Sequence, residues 1–294
     1  MSVYTEGIIV LLCINAIAAM GVSLLTGFTG IFSLGHAGYM AVGAYVAGIL
    51  TFKYNVHFII AIITAGGMAA LLAYITGVPT LRLVGDYYAI ASIGLGEAIR
   101  LILENGGKIT RGARGYPGIP PYTTLAVAFT FFVIMAFFMF NLINGRLGRT
   151  FKACRDDYIA ASLLGYNTAK FRILSLVLSA FYCGISGALL AGFLSFIQPI
   201  MFDMMKSTEL TSIVVFGGLG SMSGTLLGAV IITLVTELFR PISQYRMLIY
   251  GAILVIIMVI RPEGIMGQYE FGLNMFRAIK GKLSGNPFSR NGRG

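Results

Sequence analysis

The stretch Gly27-Phe28-Thr29-Gly30-Ile31-Phe32-Ser33-Leu34-Gly35-His36-Ala37-Gly38 decides how this chain is read. It puts glycine and serine inside an otherwise apolar region. A second stretch does the same near the other end: Gly217-Gly218-Leu219-Gly220-Ser221-Met222-Ser223-Gly224. In lipid, backbone N–H and C=O groups freed from a helix must be satisfied by protein or by cavity water. Paired glycine interruptions in two parts of one chain therefore point to a transport pathway. Close helix packing is the competing explanation, because small residues also let helices approach. The ladders Gly184, Ala188, Gly192 and Gly220, Gly224, Gly228, with a small residue at every fourth position, fit packing better.

The surroundings carry the same message. The chain has 294 residues, 57% of them hydrophobic and only 11% charged. Its mean hydropathy is +0.86. A soluble domain is closer to half apolar with about a quarter charged. Apolar segments run over 7–27, 31–51, 57–79, 87–103, 122–143, 171–197, 209–239 and 244–260. Most reach the ~20 residues a bilayer crossing needs. The expected fold class is an all-α polytopic membrane protein. It has about eight transmembrane segments, some broken or re-entrant at the glycine-rich stretches. Residues 1–266 read as a single transmembrane domain and 267–294 as a basic tail. Met1 to Glu6 lacks a positive n-region, and no clear A-x-A site follows, so the first apolar run reads as a retained span.

The net charge of +10 comes from 21 Lys and Arg against 11 Asp and Glu. In a soluble protein it would suggest nucleic acid. Here the basic residues sit between and after apolar runs, with six in 144–172 and six in 261–294. By the positive-inside rule both regions are cytoplasmic, and no nucleic-acid partner is expected. In the first, Arg146, Arg149, Lys152 and Arg155 fall at i, i+3 spacing and form one basic helix face. Ile159, Ala160, Leu163 and Leu164 form an apolar face, and Gly165 is a helix stop. That pattern suits either a headgroup helix or docking of a soluble partner. With both regions inside, an even number of crossings must lie between them. Segments 171–197, 209–239 and 244–260 make three, so 209–239 does not cross simply.

Several chemistries have no residues to perform them. There is no Gly-x-x-x-x-Gly-Lys-[Ser/Thr] loop, no His-Glu-x-x-His and no nucleophile elbow. Cys13, Cys154 and Cys183 form no disulfide framework and no metal spacing. The main charged or titratable residues inside apolar runs are His36, Glu97, Arg100 and Glu237. Glu97, Arg100 and Glu104 sit at i, i+3 and i+7, which predicts a paired cluster. A polar element of a translocation path is the other reading. His36 adjoins a glycine break, where it either packs through a hydrogen bond or helps present a helix N-terminus to an anion.

Leu25 to Ala37 resembles the signature of the permeases of branched-chain amino acid ABC importers, specifically the M-type paralogue. Leu81-Arg82-Leu83-Val84-Gly85-Asp86-Tyr87-Tyr88-Ala89-Ile90 and Gly94-Leu95-Gly96-Glu97-Ala98-Ile99-Arg100 resemble two further family segments. So do Gly148 to Ala153 followed by Asp157 to Ala161 and Gly165, then Gly217 to Ser221, then Arg261-Pro262-Glu263-Gly264. The resemblance covers about residues 20–266. It departs at Thr110 to Pro120, where Arg111 and Arg114 are unusual and lie on the expected external face.

The resemblance implies an importer subunit in a bacterial or archaeal inner membrane. An H-type second permease shares the path, two cytoplasmic ATP-binding subunits power it, and an external solute-binding protein delivers the solute. ATP is used by those partner subunits, no cofactor is bound by this chain, and the chain is not itself an enzyme. The implied substrate is a branched-chain or other small amino acid, with urea or a short amide as the alternative. A stand-alone secondary carrier or channel is the alternative class. Arg149, Asp157, Ala160, Ala161 and Gly165 are the implied ATPase-coupling residues. Ser33, Gly35, His36, Glu97, Gly218 and Ser221 are the expected path residues, with freed backbone groups offered to a zwitterion.

Overall fold

The computed structural model describes residues 3–83, 85–238 and 251. The expected segment 244–260 (apart from Gly251), the basic tail 267–294 and the Arg261–Gly264 motif lie outside the described residues. α1 (Val3–Ser23) continues through a π-helical turn, Leu24–Phe28. α2 (His36–Lys53), α3 (Phe58–Thr80), α4 (Asp86–Glu104) and the short α5 (Gly107–Thr110) follow. Next come β1 (Tyr116–Pro117), α6 (Leu125–Asn144), α7 (Arg146–Asp156), α8 (Tyr158–Leu163) and α9 (Thr168–Leu194). The described chain closes with β2 (Phe196–Ile197), a 3₁₀ turn Pro199–Phe202, α10 (Met204–Gly217) and α11 (Met222–Leu238). The all-α polytopic class is borne out. Among the described residues, four helices are long and apolar enough to cross a membrane: Tyr4–Phe28, Phe58–Thr80, Leu125–Asn144 and Thr168–Leu194.

α9 is the central post, with α1, α2 and α3 packed around it. α1 runs antiparallel to it. Ser186 Oγ donates to the Ile14 carbonyl at 2.9 Å, and the Cys183 thiol lies 3.9 Å from the Ala18 carbonyl. α2 crosses it in the same direction, so closely that a methyl group on Gly43 would enter the backbone of Gly184. With lipid as the outside solvent, helices gain little by hiding apolar surface. Close packing and inter-helix hydrogen bonds hold the bundle instead, each such bond contributing about 0.6 kcal/mol. Tyr182 to the Met135 carbonyl and Tyr122 to the Ala188 carbonyl tie α6 and the chain before it to the same post, at 3.0 and 2.7 Å. α3 and α6 turn leucine, isoleucine, methionine and phenylalanine outward, as lipid-facing helices do.

Two sequence expectations are refined. Segment 209–239 is a hairpin: α10 starts earlier, at Met204, and α11 returns after a turn at Gly218–Ser221. Asp203 sets the start, because its Oδ1 accepts the Lys206 N–H at 3.0 Å and caps the helix. The two arms pack at Gly217, Gly224 and Gly228, where any methyl would strike the facing backbone. The stretch 144–165 is two helices, not one. Asp157 leaves helical geometry and its Oδ1 accepts the N–H groups of Ile159 and Ala160 at 2.8 and 3.1 Å, starting α8. Gly165 then ends that helix at φ +86°, as its position predicts.

α7 and α8 mark one end of the bundle, here the basic end. The antiparallel pair β1–β2, with Tyr116 opposite Ile197, marks the other.

Candidate functional site

Two helices begin inside the bundle. α2 starts at His36 after the non-helical residues 29–35, and α10 starts at Met204 after the 3₁₀ turn. Their N-terminal ends pass each other. Ser207 Oγ accepts the Ala37 N–H at 2.9 Å, and Thr211 Oγ1 donates to the Ser33 carbonyl at 3.3 Å. Leu34 N–H is taken by Ser92 Oγ at 2.9 Å, and Gly35 lies so close to the Ser92 carbonyl that no side chain would fit. The backbone freed by the first interruption is thus satisfied by side chains of α4 and α10. His36 is 0% exposed, and its Nε2 sits 2.8 Å from Ser179 Oγ of α9.

A small cleft, partly open to solvent, lies beside this junction. Leu34, Gly38, Ile93, Gly96, Glu97, Phe202, Asp203, Met204 and Ser207 line it. Glu97 is hydrogen-bonded to Arg100, which also reaches Glu104 at 2.9 Å, so the predicted triplet is a paired cluster. The Glu97 side chain keeps 39% exposure while Arg100 keeps 14%.

Sequence reasoning missed a second polar cluster. Lys206 Nζ donates to Glu209 Oε2 and to Asn15 Oδ1, both at 3.2 Å, and Asn15 Nδ2 is 3.3 Å from Thr233 Oγ1. It ties α10 to α1 and α11. The one sequence signal was the spacing Asp203, Lys206, Glu209 at i, i+3, i+6, which straddles the start of the assigned apolar run.

Gly218 and Ser221 lie elsewhere. They form the α10–α11 turn at the basic end, against the π-helical turn of α1. A methyl on Gly27 would lie 2.7 Å from the Gly220 nitrogen, and Thr225 Oγ1 donates to Ser23 Oγ at 2.9 Å. Ser221 Oγ accepts the Gly224 N–H at 3.1 Å as the cap of α11. The expected path residues therefore form two groups. Ser33, Gly35, His36 and Glu97 meet at the junction. Gly218 and Ser221 sit further along α10; Thr211 to Gly217 is six residues, about 9 Å of helix.

At the basic end Arg146 and Arg149 are exposed on α7, while Phe151 and Cys154 are buried beneath it. Burial pushes the Cys154 thiol above its ordinary range. α8 presents Leu163, 83% exposed, and Leu164 just beyond it at 77%, with Tyr158, Ile159 and Ala160 also exposed. Ala161 is buried. Such a patch on a polar segment marks an interaction surface. At the opposite end the Arg111 guanidinium lies 5.6 Å from the Phe52 ring and 5.1 Å from that of Tyr116, so that unusual arginine stacks on aromatics. Arg114 is exposed. Among the described residues no group of three or more His, Cys, Asp or Glu could hold a metal ion.

A family model described as "Branched-chain amino acid transport system / permease component" matches residues 4–258. The high-affinity branched-chain amino acid transport system permease protein LivM of Escherichia coli (strain K12) is 32% identical over 89% of this chain and 70% of that protein. LivM of Salmonella typhimurium is 31% identical over 86% and 68%. The paired-name protein LivH of Salmonella typhimurium is 27% identical over 87% and 92%. No solved structure matches the chain.

Proposed function

The chain belongs to the branched-chain amino acid transport system permease family, and on that footing we propose that it carries a small apolar amino acid into the cytoplasm as the M-type half of an ABC importer. The observation that carries the proposal is the meeting of two interrupted helices inside the bundle. Helix N-termini carry partial positive charge. Those of α2 and α10 lie beside the carboxylates of Glu97 and Asp203 and the apolar walls of Leu34, Ile93, Phe202 and Met204. A zwitterion with an aliphatic side chain is complementary to all three. The route runs from this junction toward Gly218 and Ser221, which close its inner end.

The basic end faces the cytoplasm in this reading. α9 runs away from that end, α10 returns to it, and α11 leaves it again. α8 docks the ATP-binding subunit through Leu163 and Leu164, with Arg149 and Asp157 framing it. The second permease covers the face of α4 and α10. Glu97, Asp203, Lys206 and Glu209 keep partial exposure there, and charge at membrane depth turns toward protein or water rather than lipid. The lipid-facing sides of α3 and α6 carry no such groups among their exposed residues.

The test is purification of this chain from its own membrane. Recovery with one other permease and a pair of ATPase chains supports the proposal. A chain that purifies alone and transports alone overturns it.

A further inference from the structure

Arg155 is the last basic residue of α7 and lies about 180° around that helix from Arg146. It is 22% exposed. Nη1 donates to the Gly27 carbonyl at 3.3 Å, while Nε and Nη2 donate to Asp156 Oδ1 at 3.1 and 3.0 Å. Its stem lies across Gly30, where a methyl group would be 2.8 Å from Cγ. Its guanidinium lies across Gly220, where a methyl would be 2.6 Å from Nη1. Both glycines hold left-handed backbone, at φ +74° and +88°. One side chain therefore touches both glycine interruptions, which also touch each other through Gly27 and Gly220.

Guanidinium is the group suited to that place. Its fixed fork of donors can hold a carboxylate and a carbonyl at once, which a lysine ammonium does less well. The site is also mechanically connected. α8 begins three residues after Arg155 and is capped by Asp157, so a displacement of α8 moves the Arg155 backbone with it.

We infer that Arg155 is the positioning residue that latches the two interruptions together at the inner end of the path and passes movement of α7 and α8 to them. The inference rests on the permease reading above. A guanidinium that only fills a groove would stabilise the bundle without making the interruptions respond to nucleotide.

The test uses the whole transporter, with both permeases and the ATPase pair, in proteoliposomes supplied with leucine and its binding protein. Cysteines replacing Ser23 and Thr225, whose hydroxyls are 2.9 Å apart beside the interruptions, report closure as disulfide yield with and without ATP and vanadate. In the wild-type background that yield changes with nucleotide. Arg155→Ala is expected to assemble and hydrolyse ATP, to lose the nucleotide response, and to import about tenfold less solute per ATP. Arg155→Lys falls between. Arg155→Ala with an unchanged nucleotide response and unchanged solute per ATP overturns the latch. Where Arg155→Ala does not assemble, Arg155→Lys decides: a wild-type response overturns the latch and a blunted one supports it. A wild-type complex with no ATP-dependent uptake overturns the permease reading itself.

Discussion

Replacing Leu163 and Leu164 together by alanine separates docking from folding. Fully burying one leucine is worth about 1.5–3 kcal/mol. In the free subunit these two are 83% and 77% exposed, so most of that energy is still available to a docked partner. Truncation removes most of each side chain, which puts about 3 kcal/mol at stake and weakens ATPase binding about 100-fold. The subunit's own stability should move by less than about 0.5 kcal/mol, because neither side chain packs against the bundle. Titrating the ATPase against the permease pair in nanodiscs measures Kd, and a thermal melt of the pair measures folding. Ile60→Ala, an exposed position on the lipid-facing side of α3, is the control and should leave Kd unchanged. A double variant that melts normally and binds the ATPase within threefold of wild type would refute the assignment of α8 as the docking element.

Three further outcomes follow from particular contacts. Asp157→Ala removes the cap that accepts two N–H groups of α8 and should cost about 1 kcal/mol of local helix stability, read as faster amide exchange over 158–163 and reduced uptake at normal assembly. Gly43→Val drives a side chain into the backbone of Gly184, which cannot yield as a flexible side chain would; loss of well over about 2 kcal/mol is expected, read as a lowered melting temperature or failed insertion. Lys206→Met leaves the partly exposed Glu209 carboxylate without its ammonium and should cost about 2 kcal/mol; Glu209→Gln added to it should restore part of the melting temperature.

The interruptions were legible because only a satisfied backbone can break a helix in lipid, and the glycines and serines at 27–38 and 217–224 announce such breaks. The packing role of Gly184, Gly224 and Gly228 was legible from their four-residue spacing. The pairing of Arg100 with Glu97 and Glu104 was legible for the same local reason. What the sequence hid was non-local. Nothing near Lys206 predicts Asn15 as its partner, 191 positions away. The crossing of α2 and α10 depends on Ser207 meeting Ala37, a contact made by topology rather than by local pattern. Six residues put Arg155 about 120° around the helix from Arg149, but nothing local names the left-handed Gly30 and Gly220 that it meets.

In the proposed importer, solute movement through this chain is driven by ATP hydrolysed by partner subunits. The most direct measurement is leucine accumulation by proteoliposomes containing the full complex and binding protein, with ATP supplied on the ATPase side and ionophores collapsing every ion gradient. Accumulation should require ATP and survive the ionophores. Accumulation by this chain alone, without ATP and abolished by the ionophores, would contradict it.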